Sequence, residues 1–217
     1  MALHLREDVT LYFCRHGETE ANVELRFQGR TVDTPLTPRG REQAHDVAQS
    51  LKQQVPAPAS LDYVCSPLQR ARTTMEIIRG DLDLPPNGYR TDDRLQEINL
   101  GAWDGLTDAQ AKALDPAAFE RRGQDKWNVR VPGGGENYED VAARAGSWIQ
   151  EMKTDTFAVA HGAFTRILRG LFMGVDWKAM SDLDEKQGVL FRVRGNTIKR
   201  FDPPEELSKP AGPHPSG

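Results

Sequence analysis

The chain has 217 residues, 38% of them hydrophobic and 28% charged, which is enough apolar material for a buried core. Lys and Arg number 28 against 32 Asp and Glu, a formal net charge of -4 with no long block of one sign. That balance argues against general nucleic-acid or anionic-membrane binding. The longest apolar stretches, around Phe157 to Ala160 and Gly188 to Phe191, fall far short of the roughly 20 residues of a membrane helix.

The opening MALHLREDVTLYF has no sustained apolar run followed by a small-residue cleavage site, so a cytoplasmic location is expected. Cys14 and Cys65 are the only two cysteines, too few for a disulfide framework and without zinc-ligand spacing. They are expected as free thiols at two strand ends, bridgeable only if those strands are neighbours.

In chain order, Val9 to Cys14 is short, β-branched and aromatic, the pattern of a buried strand feeding a polar loop. An irregular stretch runs to Pro38. There Thr37 is placed to cap a helix with Pro38 at its first position, and Ala44, Val47, Ala48 and Leu51 recur at helical spacing. Leu61 to Cys65 reads as a second strand, leading into a helix over SPLQRARTTMEIIRG that Gly80 closes. A weaker extended region near Tyr89 to Leu95 precedes LQEINLGAWDG, and helices are expected around Asp108 to Leu114 and Pro116 to Arg121. The PGGG at 132–135 breaks the chain, and Asn137 with Asp140 forms an N-cap arrangement for a helix to Met152. Phe157 to Ala160 is a third strand, followed by a helix over HGAFTRILRGLFMG. Gly188 to Arg194 and Thr197 to Phe201, joined at Gly195-Asn196, read as a hairpin. Strands alternating with helices predict a three-layer α/β/α sandwich, its sheet mostly parallel with an antiparallel edge. Residues 1–201 are expected to form one domain and 202–217 a Pro-rich tail.

Three strand ends deliver Arg15-His16-Gly17, the SPLQRA segment at 66–71 and His161-Gly162. In an open parallel sheet these ends share one edge, where ligands bind. Two histidines and two arginines would therefore converge. Arginine matches phosphate oxygens with a planar fork, and a neutral imidazole beside it can attack phosphorus. The five histidines show no HxxxH or HExxH pair and no carboxylate triplet at ligand spacing, so the chemistry is read as metal-independent. For a general acid, Glu18, Glu97 and Glu136 all lie near these loops. His45 reads as a solvated helix residue. The four tryptophans read as core or pocket wall, because no basic groove accompanies them.

Six motifs occur in order: LYFCRHGETEAN at 11–22, RFQG at 26–29, PLTPRG at 35–40, SPLQRART at 66–73, LQEINLGAWDG at 95–105 and VAHG at 159–162. Together they resemble the histidine phosphatase superfamily, its phosphoglycerate mutase-like group, from about residue 10 to 201. Glu18 and Thr19 after the RHG depart from the acid phosphatase branch, which has RHGxRxP. The resemblance implies that His16 is the nucleophile and becomes phosphohistidine, with Arg15, Arg70 and His161 clamping the phosphoryl group. It selects Glu97 as the acid that protonates the leaving oxygen and then activates water. Asn22, Gln28 and Gly29 would help hold the phosphate or the rest of the substrate.

Phosphatase and mutase members share this chemistry and differ in the acceptor. The short stretch between Glu97 and His161, Gln28 in FQG and Ala163 after His-Gly resemble the phosphatase type. Arg121 and Arg122 resemble the substrate clamp of the mutases. The reading is a broad-specificity phosphomonoesterase acting on a small-molecule substrate without a cofactor, with a bisphosphoglycerate-dependent phosphoglycerate mutase as the alternative. A catalytically silent phosphate-binding protein on the same fold is the reading from another class. The edge strand and tail could serve a homodimer.

Overall fold

The computed structural model describes residues 3–203. Six strands form one sheet in the order β3-β2-β4-β1-β5-β6. β1 (Thr10–Arg15), β2 (Asp62–Cys65), β3 (Arg90–Thr91) and β4 (Thr156–Ala160) run parallel, while β5 (Leu190–Arg194) and β6 (Thr197–Phe201) close one side antiparallel. The tail expected from 202 lies, from 204 onward, outside the described residues. No helix among the described residues is long and apolar enough to cross a membrane.

The period of two along each strand divides the interior between two faces. Leu11 and Phe13 of β1, Val64 of β2, and Ala158 and Ala160 of β4 pack on one face. Against them lie α6 (Tyr138–Gln150) and α7 (Gly162–Met173), through Val141, Ala145, Trp148, Phe164, Ile167 and Leu168. The alternate residues Tyr12, Cys14, Tyr63, Cys65, Phe157 and Val159 face α2 (Pro38–Gln54) and α3 (Gln69–Asp81). This is the three-layer sandwich read from the sequence. A smaller cluster of Trp103, Ala111, Ala118 and Val131 gathers α4 (Asp108–Leu114) and α5 (Pro116–Gln124) beside the sheet edge.

The local signals act as their chemistry requires. Thr37 accepts from the Gly40 N–H at 3.0 Å with Pro38 beginning α2, and Asn137 with Asp140 forms a reciprocal capping box on α6. Two short helices arise in stretches expected to be irregular or unassigned: α1 (Glu20–Val23), capped by Thr19, and α8 (Trp177–Asp182), capped by Asp176. The expected closure of α3 at Gly80 does not occur. The helix runs to Asp81 and the chain turns at Asp83, whose φ is 59°. A Cβ at Gly80 would meet nothing within 4 Å, so nothing there requires a glycine. Leu82 caps the helix, its N–H directed to the carbonyls of Ile78, Arg79 and Gly80, while the Arg79 side chain donates to the Pro85 carbonyl at 2.9 Å and lies over the Tyr63 ring.

Cys14 and Cys65 are free and buried. Their strands are not neighbours, since both residues stand opposite Val159 on either side of β4. Two strand spacings, about 9.6 Å, exceed what a disulfide spans. Burial raises both thiols, Cys65 to about 12 and Cys14 further. Neither thiol should therefore react with a disulfide reagent in the native protein at pH 8, whereas two equivalents should react in guanidinium; rapid native labelling would contradict this packing.

Candidate active site

The carboxyl ends of β1, β2 and β4 lie side by side, so Arg15, Ser66 and His161 emerge along one edge. His16 follows β1 directly and its N–H bonds the Ala160 carbonyl of β4 at 2.9 Å. Gly17 then passes so close to α2 that a Cβ would lie 2.1 Å from the Gly40 oxygen. Only a chain without side chains at 17 and 40 can take this path.

His16 is 2% exposed, and its two nitrogens are distinguished by their neighbours. Nδ1 lies 2.7 Å from the Gly17 carbonyl, which only accepts, so Nδ1 carries the proton. Nε2 receives the Arg70 Nε–H at 3.3 Å, and a guanidinium only donates, so Nε2 holds the lone pair. Burial first, then Arg70 and Arg15, push the imidazole well below its ordinary value. His16 is a neutral imidazole with a fixed lone pair.

Arg70 is the second residue of α3 and is 1% exposed. Asp33 pairs with it at 3.0 Å, and the carbonyl of Gly29 accepts from it at 2.7 Å. Asp33 also accepts the N–H of Gln69 at 2.5 Å, satisfying a helix start that Leu68 cannot cap. Gly29 therefore serves differently from the expectation that it touches substrate. Its N–H is taken by Asp104 at 2.7 Å and its carbonyl by Arg70, so it positions the guanidinium instead of facing the pocket. Asn22 and Gln28 do line the pocket. Gln28 is braced by Thr19 and Thr34, and Asn22 accepts from Gln187 at 2.9 Å.

His161 stands with its ring centroid 5.1 Å from that of His16, and neither of its nitrogens has a partner. Arg15 Nε and Arg166 Nε are also buried without one. Each unmatched buried polar group costs on the order of 1–3 kcal/mol. Such a cluster beside one lone pair is an arrangement suited to an anion with several oxygens.

Among the three candidate acids the geometry separates roles. Glu18 accepts from the Thr37 hydroxyl at 2.8 Å and belongs to the start of α2. Glu136 is locked by Arg30 at 2.8 Å and Arg144 at 3.2 Å and accepts the Asn99 N–H, clamping the 95–105 loop. Glu97 alone of the three lines the pocket. Its carboxyl sits over the start of α7, accepting from Ile98 at 2.8 Å, Ala163 at 3.2 Å and Phe164 at 3.3 Å. Burial, and next the charge of Glu185, raise it above the usual carboxylate range despite those bonds.

The pocket encloses about 540 Å³. Its far wall is aromatic, with Phe27 stacked on Trp103 at 6.2 Å and Phe119 tilted against Trp103 at 5.5 Å. Arg122 and Lys126 also line it, but Arg121 is exposed and does not. The arginine pair read from the sequence thus separates, because adjacent helical positions face different ways. Sequence reading missed Arg166, Tyr138 and Glu185, which line the pocket, and Asp33 and Asp104, which hold its loops. A signal existed for Arg166, the first of two arginines in a mostly apolar helix that starts just after a strand-end histidine. Glu185 lies in an irregular segment and had none.

Residues 11–196 match the family model described as histidine phosphatase superfamily (branch 1). A glucosyl-3-phosphoglycerate phosphatase of Mycolicibacterium vanbaalenii is 32% identical over 209 residues, covering 89% of this chain and 87% of that protein. Among solved structures, Bacillus stearothermophilus YhfR superposes with a TM-score of 0.74 at 32% identity, covering 88% of this chain and 94% of that one. A mycobacterial glucosyl-3-phosphoglycerate phosphatase in complex with VO3 superposes with a TM-score of 0.71 at 30% identity, covering 89% and 96% respectively.

Asp33 is the carboxylate paired with the buried Arg70. Replacing Asp33 with Ala should cost about 3 kcal/mol of stability in urea unfolding, because an uncompensated buried charge remains. Added vanadate should restore part of it, and an unchanged midpoint would refute this role.

Proposed function

The chain belongs to the histidine phosphatase superfamily (branch 1), and we propose that it is a metal-independent phosphomonoesterase hydrolysing small phosphorylated metabolites through a phosphohistidine on His16. The observation that carries this reading is the lone pair of His16 Nε2, fixed by the Gly17 carbonyl and flanked by Arg70 and the unpartnered nitrogens of His161.

Nε2 attacks phosphorus in line as the bond to the leaving oxygen breaks, and the Glu97 carboxyl gives that oxygen its proton. Water then attacks phosphorus, transferring a proton back to Glu97 as the P–N bond breaks, which releases inorganic phosphate and restores neutral His16. Little covalent work falls on the remaining groups. Arg15 and His161 hold the phosphoryl oxygens, while Arg70, whose N–H groups are spent on His16, Asp33 and the carbonyls of Gln28, Gly29 and Val32, stabilises their charge at short range without donating to them. The same guanidiniums make the place unfavourable for a divalent cation, which supports chemistry without a metal.

Glu97 suits the acid role because its raised affinity for a proton keeps it protonated at higher pH than an ordinary carboxyl. The cavity is of metabolite size, and its aromatic wall offers an apolar face to a sugar or similar ring, with Arg122 and Lys126 for polar groups. Of the two arginines that resemble a mutase clamp only Arg122 reaches the pocket, which removes the pairing on which that resemblance rested and favours hydrolysis.

Phosphate release from p-nitrophenyl phosphate should continue in EDTA, with no bisphosphate-dependent isomerisation of phosphoglycerate. Changing His16 to Ala should lower turnover by about 10⁴-fold or more while the protein still folds. Full activity in that variant would sink the mechanism. The kcat/KM of the parent should fall on the alkaline side as Glu97 loses its proton. Glu97→Gln should lower kcat on alkyl phosphates by about 10²-fold or more and abolish that limb.

A further inference from the structure

Glu185 belongs to none of the steps above, yet its carboxylate engages two guanidiniums of the pocket. Oε1 lies 2.5 Å from Arg166 and Oε2 lies 3.6 Å from Arg15. The group also covers the start of α7, where a Cβ on Gly162 would fall 2.6 Å from Oε2. It therefore stands at the same sheet edge as His161, among the unpartnered nitrogens of Arg15, Arg166 and His161. A carboxylate presents two oxygens and one negative charge to these donors; a phosphoryl group presents three oxygens and up to two charges.

The rest of the site does not need this carboxylate for its shape. Arg15 is held by the main-chain carbonyl of Glu185 at 2.7 Å, and Arg166 by the Tyr138 hydroxyl at 3.2 Å. The segment itself is anchored through neighbours, Asp184 on Arg169 at 2.9 Å and on Arg200 at 2.6 Å, and Gln187 on Asn22. The Glu185 side chain is 27% exposed, so it can turn to solvent while its backbone stays.

We infer that Glu185 is an internal competitor for the phosphoryl site: its carboxylate occupies the Arg15–Arg166 pair in the empty pocket, yields to the incoming phosphoryl group, and returns as inorganic phosphate leaves. This rests on the phosphatase reading above for the identity of the displacing group. Exchange of one anion for another also preserves the negative field that helps keep Glu97 protonated. The device weakens binding of substrate and product alike, so it favours release of inorganic phosphate over tight capture.

Isothermal titration with inorganic phosphate and with orthovanadate tests this without turnover. Glu185→Gln, which keeps the shape and removes the charge, should bind both about tenfold more tightly, and its KM for p-nitrophenyl phosphate should fall by a similar factor without a rise in kcat. Glu185→Asp keeps the charge on a shorter arm and should fall between the parent and Glu185→Gln, which guards against a defect peculiar to one variant. Unchanged or weaker phosphate binding in both variants, as expected if Glu185 merely holds Arg15 in place, would overturn the proposal, as would no binding by any form. Tighter binding in a protein whose parent hydrolyses no phosphomonoester would support the competitor and reject the phosphatase reading.

Discussion

Burial of the Arg70 guanidinium against a neutral imidazole is the constraint on which the rest of the site depends. A buried charge is tolerated only where other groups replace the water it has lost. Asp33 and the carbonyls of Gln28, Gly29 and Val32 do that on one side, and on the other the Arg70 Nε–H meets the lone pair of His16. The Gly17 carbonyl then has to take the remaining ring proton. Each partner has a further tie: Asp104 holds the 29–31 turn, and Thr74 receives the Gly17 N–H. The tautomer and lone pair of His16 are thus specified by a chain of obligations that begins with one arginine. Unpartnered nitrogens of Arg15, Arg166 and His161 lie near this lone pair, and those of Trp103 and Arg122 lie on residues of the far wall.

The two faces of the sheet contribute different halves of this arrangement. The α2 and α3 side brings the close passage of Gly17 against Gly40 and the start of α3 with Arg70. The α6 and α7 side brings His161, Arg166 and the amides that receive Glu97. Glu136 and Arg144 fasten the Glu97 loop to α6. β4 and β1 lie between the two halves at the middle of the sheet, so His16 and Glu97 are set by elements packed on opposite sides of the same two strands.

This division explains what was legible in the sequence. Strands whose faces are both buried read as short apolar runs, and the residue that follows each one is fixed by position, so His16 and His161 could be placed without any contact being known. Caps at Thr37 and Asn137 are local chemistry and read equally well. Gly80 misled because the left-handed turn that follows the helix is taken by Asp83, whose φ is 59°, and not by a glycine. Asp33 escaped because it caps a helix that begins 36 residues later. The arginine pair at 121 and 122 looked like one feature in the sequence, but the helix separates its members by direction.

Glu185 marks the limit of such reading. It stands in a stretch with neither period, and its neighbours Asp184 and Gln187 are tied to Arg169, Arg200 and Asn22, all distant along the chain. Nothing in its surroundings along the chain separates it from the other acids, and only the sheet edge gives it meaning, by bringing it against Arg15 and Arg166. A pocket that gathers guanidiniums for an anion has to manage them when no anion is present, because like charges held together without water repel one another. Asp33 answers this permanently for Arg70, from the side away from His16. Glu185 answers it from within the pocket, whose wall it lines, whereas Asp33 does not line it. The difference between a fixed counter-charge and one that can be displaced lies in that placement alone, since the two side chains are both carboxylates on arginine.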